Sequence, residues 1–208
     1  MTTADTAHRL VFRMVGTWWR IDLSSPETIA GSAKDIAAGV LGRADDRATA
    51  RARLRGELGK AAAAAADADA QLLMIQTDLG PGAPMSATLT VFEDERMRMS
   101  PAIGTDAASV LAVFEESVPM MDPARAGTLV RRRFVDGEVV RVHAIEETVE
   151  IEDGERYTQR RLVAQYWYPI PGSKHLLTVV LTTPLGDIAH TLLSYFDAIV
   201  AASAFQEG

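Results

Sequence analysis

The chain contains no cysteine, which excludes a disulfide framework, a thiol nucleophile and a thiolate-bound metal. Lysine is scarce: it occurs only at Lys34, Lys60 and Lys174, so eighteen of the 21 basic residues are arginine. No stretch approaches the roughly 18 consecutive apolar residues of a membrane-spanning helix, so no membrane insertion is expected. The start is polar from Met1 to His8, and the apolar residues that follow are broken by Arg13 and Arg20. No signal peptide is therefore expected, and the cytoplasm is the default compartment.

Chemical signatures are missing as well. Gly31-Ser32 lacks the second glycine and the strand-to-helix setting of a nucleophile elbow. Gly80-Pro81-Gly82 is no dinucleotide fingerprint, and no glycine-rich loop ends in Gly-Lys-Ser/Thr. His8, His143, His175 and His190 lie far apart, with none of the spacings of a metal site. No catalytic residue, metal or cofactor is assigned on these grounds.

What is present is ordinary globular material. Hydrophobic residues make up 48% and charged residues 24% of 208, which suits one domain, 1–208, with a core large enough to need no staple. The net charge of −7 is spread along the chain; it favours solubility and opposes nucleic-acid binding, which needs clustered cations. The arginine and alanine bias suggests a GC-rich bacterial genome, such as that of an actinobacterium.

Periodicity divides the chain into elements. Residues 9–23 alternate loosely, with Phe12, Trp18, Trp19 and Ile21, and read as one or two short strands. Ser24-Ser25-Pro26-Glu27 starts a helix whose apolar positions run from Ile29 to Leu41, and Gly42 stops it. Asp45 or Asp46 is placed to cap a second helix reaching about Ala70, so that 43–70 forms a helical excursion. This helix is mostly alanine, and Arg47, Arg51 and Arg55 form a stripe four residues apart. Two strands follow at 71–77 and 86–93, joined by a Gly/Pro loop; then comes a short helix capped by Thr105 or Asp106 and ending near Pro119.

Four strands come next, at 128–135, 138–150, 156–168 and 175–183, with Asp136-Gly137 and Asp153-Gly154 as hairpin turns. The last of them is apolar on both faces and should be covered on both sides. A final helix over about 187–203 carries Ile188, Leu192, Tyr195, Phe196, Ile199 and Val200 on one stripe. The expected fold class is α+β: an α/β/α sandwich with a twisted, mainly antiparallel sheet, including a C-terminal four-strand meander, flanked by helices on both faces.

The sequence Trp18-Trp19-Arg20-Ile21-Asp22-Leu23, the helices, the meander and the ending Thr182-Thr183-Pro184 … Tyr195-Phe196-Asp197-Ala198-Ile199 … Ser203 resemble the PsbP-like superfamily. The nearer resemblance is to actinobacterial members, some associated with type VII secretion loci. The resemblance implies the fold and a largely non-enzymatic background, and it assigns no functional residue. The excursion at 43–70 is longer than in its compact members.

Two candidate sites emerge from charge placement. A two-residue turn at Asp153-Gly154 sets Glu147 opposite Arg160 and Glu146 opposite Arg161, as ordinary cross-strand charge pairs. A two-residue turn at Asp136-Gly137 sets Arg132 opposite Arg141, with His143 beside them and Tyr166 opposite Arg141. Two arginine forks with a hydroxyl and an imidazole are suited to a carboxylate or phosphate, unless they meet acidic groups from a covering helix. The second candidate is the Arg47, Arg51 and Arg55 stripe, either a solvated face or a docking surface for an acidic partner. The leading reading is a non-enzymatic accessory or adaptor with an unidentified protein partner, a homo-oligomer being compatible. The alternative is a small anionic-ligand-binding protein or an unrecognised enzyme using the Arg132/Arg141 pocket.

Overall fold

The computed structural model describes residues 8–93, 104–134, 137–152 and 155–207. The chain divides into two compact units, one formed by Gly16–Glu93 and the other by the chain on either side of it. The fold is α+β, with antiparallel strands and flanking helices. Among the described residues no helix is long and apolar enough to cross a membrane.

In the Gly16–Glu93 unit, β2 (Thr17–Ile21), β3 (Ala70–Asp78) and β4 (Pro84–Glu93) pair antiparallel in that order. Helices α1 (Pro26–Leu41) and α2 (Ala48–Asp67) form a hairpin between β2 and β3. The start of α1 is the expected one. Ser25 Oγ accepts from the Thr28 amide at 3.2 Å, and Thr28 Oγ1 accepts from the Ser25 amide at 3.0 Å. Such a reciprocal cap stabilises a helix by about 1 kcal/mol.

Ile29, Ala33 and Ile36 of α1 meet Leu58, Ala62 and Ala65 of α2 over Ile21, Leu73 and Ile75 of the strands. Small residues bring the helices close, as the alanine-rich sequence requires. Gly39 lets α1 approach β2 in the same way: a Cβ there would lie 2.7 Å from the Trp19 ring. The start of α2 departs from expectation. Asp45–Arg47 forms a turn of 3-10 helix, and neither aspartate supplies a side-chain cap to α2, which begins at Ala48.

The second unit is built on the meander β5 (Val130–Phe134), β6 (Gly137–Glu152), β7 (Glu155–Pro169) and β8 (Leu176–Thr183), paired antiparallel in sequence order. The β6–β7 register is the one expected: Glu146 accepts from Arg161 at 2.5 Å and Glu147 from Arg160 at 3.2 Å. The β5–β6 register is not. Phe134 pairs with Gly137, so Arg132 lies opposite Val139, and Arg141 opposite Val130. Gly137 joins the ladder as the first residue of β6 at φ 151°, a conformation open to a residue without a Cβ, instead of ending a turn. Asp136 and the Asp153-Gly154 turn lie outside the described residues.

Helices cover both faces of this meander. On one face, α3 (Ala107–Met121) places Val110, Leu111, Phe114 and Val118 against Val140, Val142, Trp167 and Leu176. Asp106 caps it by accepting from the Ser109 amide at 2.9 Å. The helix runs two residues past Pro119, and the Asp122 amide still reaches the Val118 carbonyl at 2.8 Å. A single turn, α4 (Pro123–Ala126), leads into β5.

On the other face lies α5 (Ala189–Ala201), entered through a 3-10 turn at Gly186–Ile188, with Leu192, Phe196, Ile199 and Val200 buried. A two-stranded ribbon that the sequence did not suggest completes the unit: β1 (His8–Val11) pairs antiparallel with β9 (Ala204–Glu207).

Candidate functional site

The pleat of β5 divides three consecutive arginines between two faces. Arg131 turns toward α3, donating to Glu115 at 2.8 Å and to Glu138 at 3.3 Å, and Arg133 also pairs with Glu138. Arg132 turns toward α5. With the observed register, Arg132 and Arg141 are diagonal neighbours on that face instead of directly opposed, and Tyr166 stands opposite Arg141 as expected.

The four residues proposed from sequence share this face, and three of them converge on one group that sequence reasoning did not assign to them, Asp197 of α5. Arg141 Nη1 donates to Asp197 Oδ2 at 2.7 Å, Arg132 Nη2 donates to the same oxygen, and the Tyr166 hydroxyl donates to Oδ1 at 2.9 Å. The Arg141 side chain is 7% exposed and that of Asp197 14%, whereas that of Arg132 is 40% exposed. The two like charges, buried at Arg141 and half-exposed at Arg132, are thus held by a carboxylate supplied from the covering helix, which offsets the repulsion between them. The Nε atoms of both arginines have no hydrogen-bond partner.

His143 is placed differently. Its backbone amide donates to Thr128 Oγ1 at 3.0 Å, and its carbonyl accepts from the same hydroxyl at 2.8 Å. The ring Nδ1 is buried with no partner. Burial, and then the neighbouring Arg141 charge, hold the imidazole pKa below its ordinary value, with Asp197 opposing. The Tyr166 hydroxyl is pushed upward, first by burial and then by the adjacent Asp197 charge. This cluster orders α5 on the sheet, and Asp197 stands where an external anion would have to bind.

A signal for Asp197 exists in the sequence. It is the one charged residue inside the apolar stretch from Leu192 to Val200 and is flanked on the helix surface by Leu193, Phe196 and Val200. A carboxylate so placed needs a cationic partner on the surface the helix covers.

The arginine stripe of the other unit also gains a structural role. Arg47 Nη1 donates to the Leu41 carbonyl at 3.3 Å, and Arg51 Nη1 donates to the Gly42 and Ala44 carbonyls at 3.1 and 2.5 Å. These carbonyls belong to the last turn of α1 and the link after it, where unpaired acceptors and the helix dipole favour a cation. Arg55, one turn further along α2, makes no such contact. It faces a groove between α1 and α2 of about 500 Å³, lined among the described residues by Lys34, Arg43, Arg51 and Arg55 with Asp35 as the one carboxylate. Ala37, Ala38, Ala48 and Ala52 form its floor. Lys34, Arg43 and Arg55 make no ion pair with any described residue.

Among the described residues, no group of three or more His, Asp or Glu side chains is arranged to hold a metal ion. No family model and no curated protein matches the chain. Among solved structures it is similar to LpqN of Mycobacterium tuberculosis, described as involved in cell envelope biogenesis. That match is 14% identical, covers 65% of this chain and 71% of LpqN, and has a TM-score of 0.37. A likeness of that size bears on neither activity nor partner.

Proposed function

We propose that the chain is a non-enzymatic accessory protein that docks an acidic segment of a partner protein in the groove between α1 and α2. The observation that carries this reading is the charge of the groove. Among the described residues four cationic side chains and one carboxylate line it, in a protein whose net charge is −7. A local field of that sign would attract an acidic segment and orient it during encounter. The alternative anion site at Arg132 and Arg141 is less favoured, because Asp197 already accepts from both arginines and from Tyr166. The PsbP-like resemblance, an actinobacterial origin and a cytoplasmic setting belong to the same proposal.

The test uses the full chain and a fluorescently labelled acidic peptide, read by anisotropy. Saturable binding is expected, weakening steeply with salt and falling at least tenfold in a Lys34→Glu/Arg55→Glu variant. Both residues are exposed and neither makes an ion pair with a described residue, so the variant should retain the native circular dichroism spectrum. A protein that co-purifies with the wild type but not with the variant would name the partner. Peptide binding that is absent, or indifferent to the double charge reversal, would remove the groove from consideration.

A further inference from the structure

The meander unit contains a second concavity with the opposite character. It encloses about 310 Å³, within the range of small-molecule sites. Its floor is Phe134, Val139 and Tyr168 of the sheet face covered by α5. Val200 and Ser203 form one wall, and Leu10 and Phe205 come from the β1–β9 ribbon. Asp106, Glu138 and the turn at Ile170, Pro171 and Gly172 also line it, with Asp106, Pro171 and Gly172 exposed.

Tyr168, Ser203, Asp106 and Glu138, which line this cavity, already have partners. The Ser203 hydroxyl donates to the Val200 carbonyl at 2.6 Å, which leaves the Tyr168 hydroxyl to donate to Ser203 Oγ at 3.1 Å. Asp106 accepts from the Ser109 amide, and Glu138 takes Arg131 and Arg133. Among the described residues no cation lines the cavity, and the carboxylates that do are Asp106 and Glu138. The described groups that line it thus offer no free cation to an anion.

Leu10 and Phe205 are paired across the ribbon, which hydrogen-bonds as a separate two-stranded sheet. A ribbon of four-residue strands is marginally stable by itself, so it can open locally while the meander stays folded. That supplies an entry route to an otherwise buried floor.

We propose that this cavity binds an uncharged, largely apolar small molecule with the bulk of two or more rings. An apolar cavity of roughly 150 Å³ takes a single benzene ring, and the present volume is about twice that. Burial drives the Tyr168 hydroxyl pKa upward, so the floor stays neutral throughout the physiological range.

The test compares two fluorescent probes that share one ring framework, N-phenyl-1-naphthylamine and its sulfonated analogue 8-anilinonaphthalene-1-sulfonate. The uncharged probe is expected to bind saturably with one site per chain, at least tenfold more tightly than the sulfonate. Val139→Phe, which fills the floor, and Ala204→Leu, which fills the ribbon side, should each weaken it at least tenfold. Lys34→Glu/Arg55→Glu should leave it unchanged, which separates this site from the groove between α1 and α2. Should neither filling variant fold, transferred proton contacts from the uncharged probe to the Leu10, Val139 and Val200 methyls of the wild type decide the matter. Absent saturation, a preference for the sulfonate, unchanged affinity in folded variants, or missing methyl contacts would each overturn the proposal.

Discussion

Replacing Asp197 with asparagine removes one negative charge and almost no volume, so it isolates what the carboxylate does for the two arginines beneath α5. Arg141 is the sensitive partner, since its side chain is 7% exposed and cannot turn to water. Breaking a buried ion pair by neutralising one member costs about 3–5 kcal/mol, because the other charge is left uncompensated. The Arg132 contribution is far smaller. With 40% of its side chain exposed, solvent screens the pair and its share is about 0.5 kcal/mol. The Tyr166 hydroxyl keeps an acceptor in the asparagine carbonyl, so that hydrogen bond should survive.

The expected loss for Asp197→Asn is therefore about 3 kcal/mol. With a urea slope of roughly 2 kcal/mol per molar, the unfolding midpoint should fall by about 1.5 M. Arg132→Ala should move it by less than about 0.5 M. The double variant Arg141→Met/Asp197→Asn removes both buried charges and should recover most of the loss, as apolar replacements of buried pairs do. Urea unfolding of the wild type, Asp197→Asn, Arg141→Met and their double variant, followed by circular dichroism, gives the coupling directly, with Arg132→Ala measured beside them. A midpoint shift below about 0.5 M for Asp197→Asn, or a double variant no more stable than the sum of the single effects, would refute the buried-pair reasoning.

Two further outcomes follow from the same unit. The His143 pKa lies below 6.5 in the folded chain, so between the folded and unfolded values the unfolded chain binds more protons and stability rises with pH. This contribution is complete above pH 6.5 and is lost as the pH falls below it; His143→Gln should flatten the slope of stability against pH there, and an unaltered slope would dismiss the assignment. Phe114 is fully buried, with its ring 4.7 Å from that of Trp167. Phe114→Ala should cost about 3–5 kcal/mol and shift the tryptophan emission to the red. A loss under about 1 kcal/mol would show that α3 packs more loosely than described.

Much of this architecture is decided locally. The start of α1 at Ser25-Pro26 and the Asp106 cap of α3 rest on contacts within three residues. The β6–β7 pairing, with Glu146 and Glu147 on Arg161 and Arg160, follows from strand alternation carried out from one short turn. The stripe of α5 shows which side of that helix is buried because helical periodicity is a property of the segment itself.

Other features depend on partners remote in sequence. Gly137 could end a turn or begin a strand, and pairing with Phe134 decided for the strand, which moved Arg132 from opposite Arg141 to diagonal. Asp197 meets Arg141 across 56 residues, a contact set by which turn of α5 lies over which strand. The arginines of α2 carry the same charge whether solvated or folded back, and only the return of α1 beside them put Arg47 and Arg51 on its last carbonyls. The β1–β9 ribbon pairs the neighbourhood of His8 with that of Phe205, and four residues a side carry too little pattern to announce it. Local free energies of capping and alternation are written in neighbouring residues, whereas burial of charge and the enclosure of a cavity exist only once distant elements are packed.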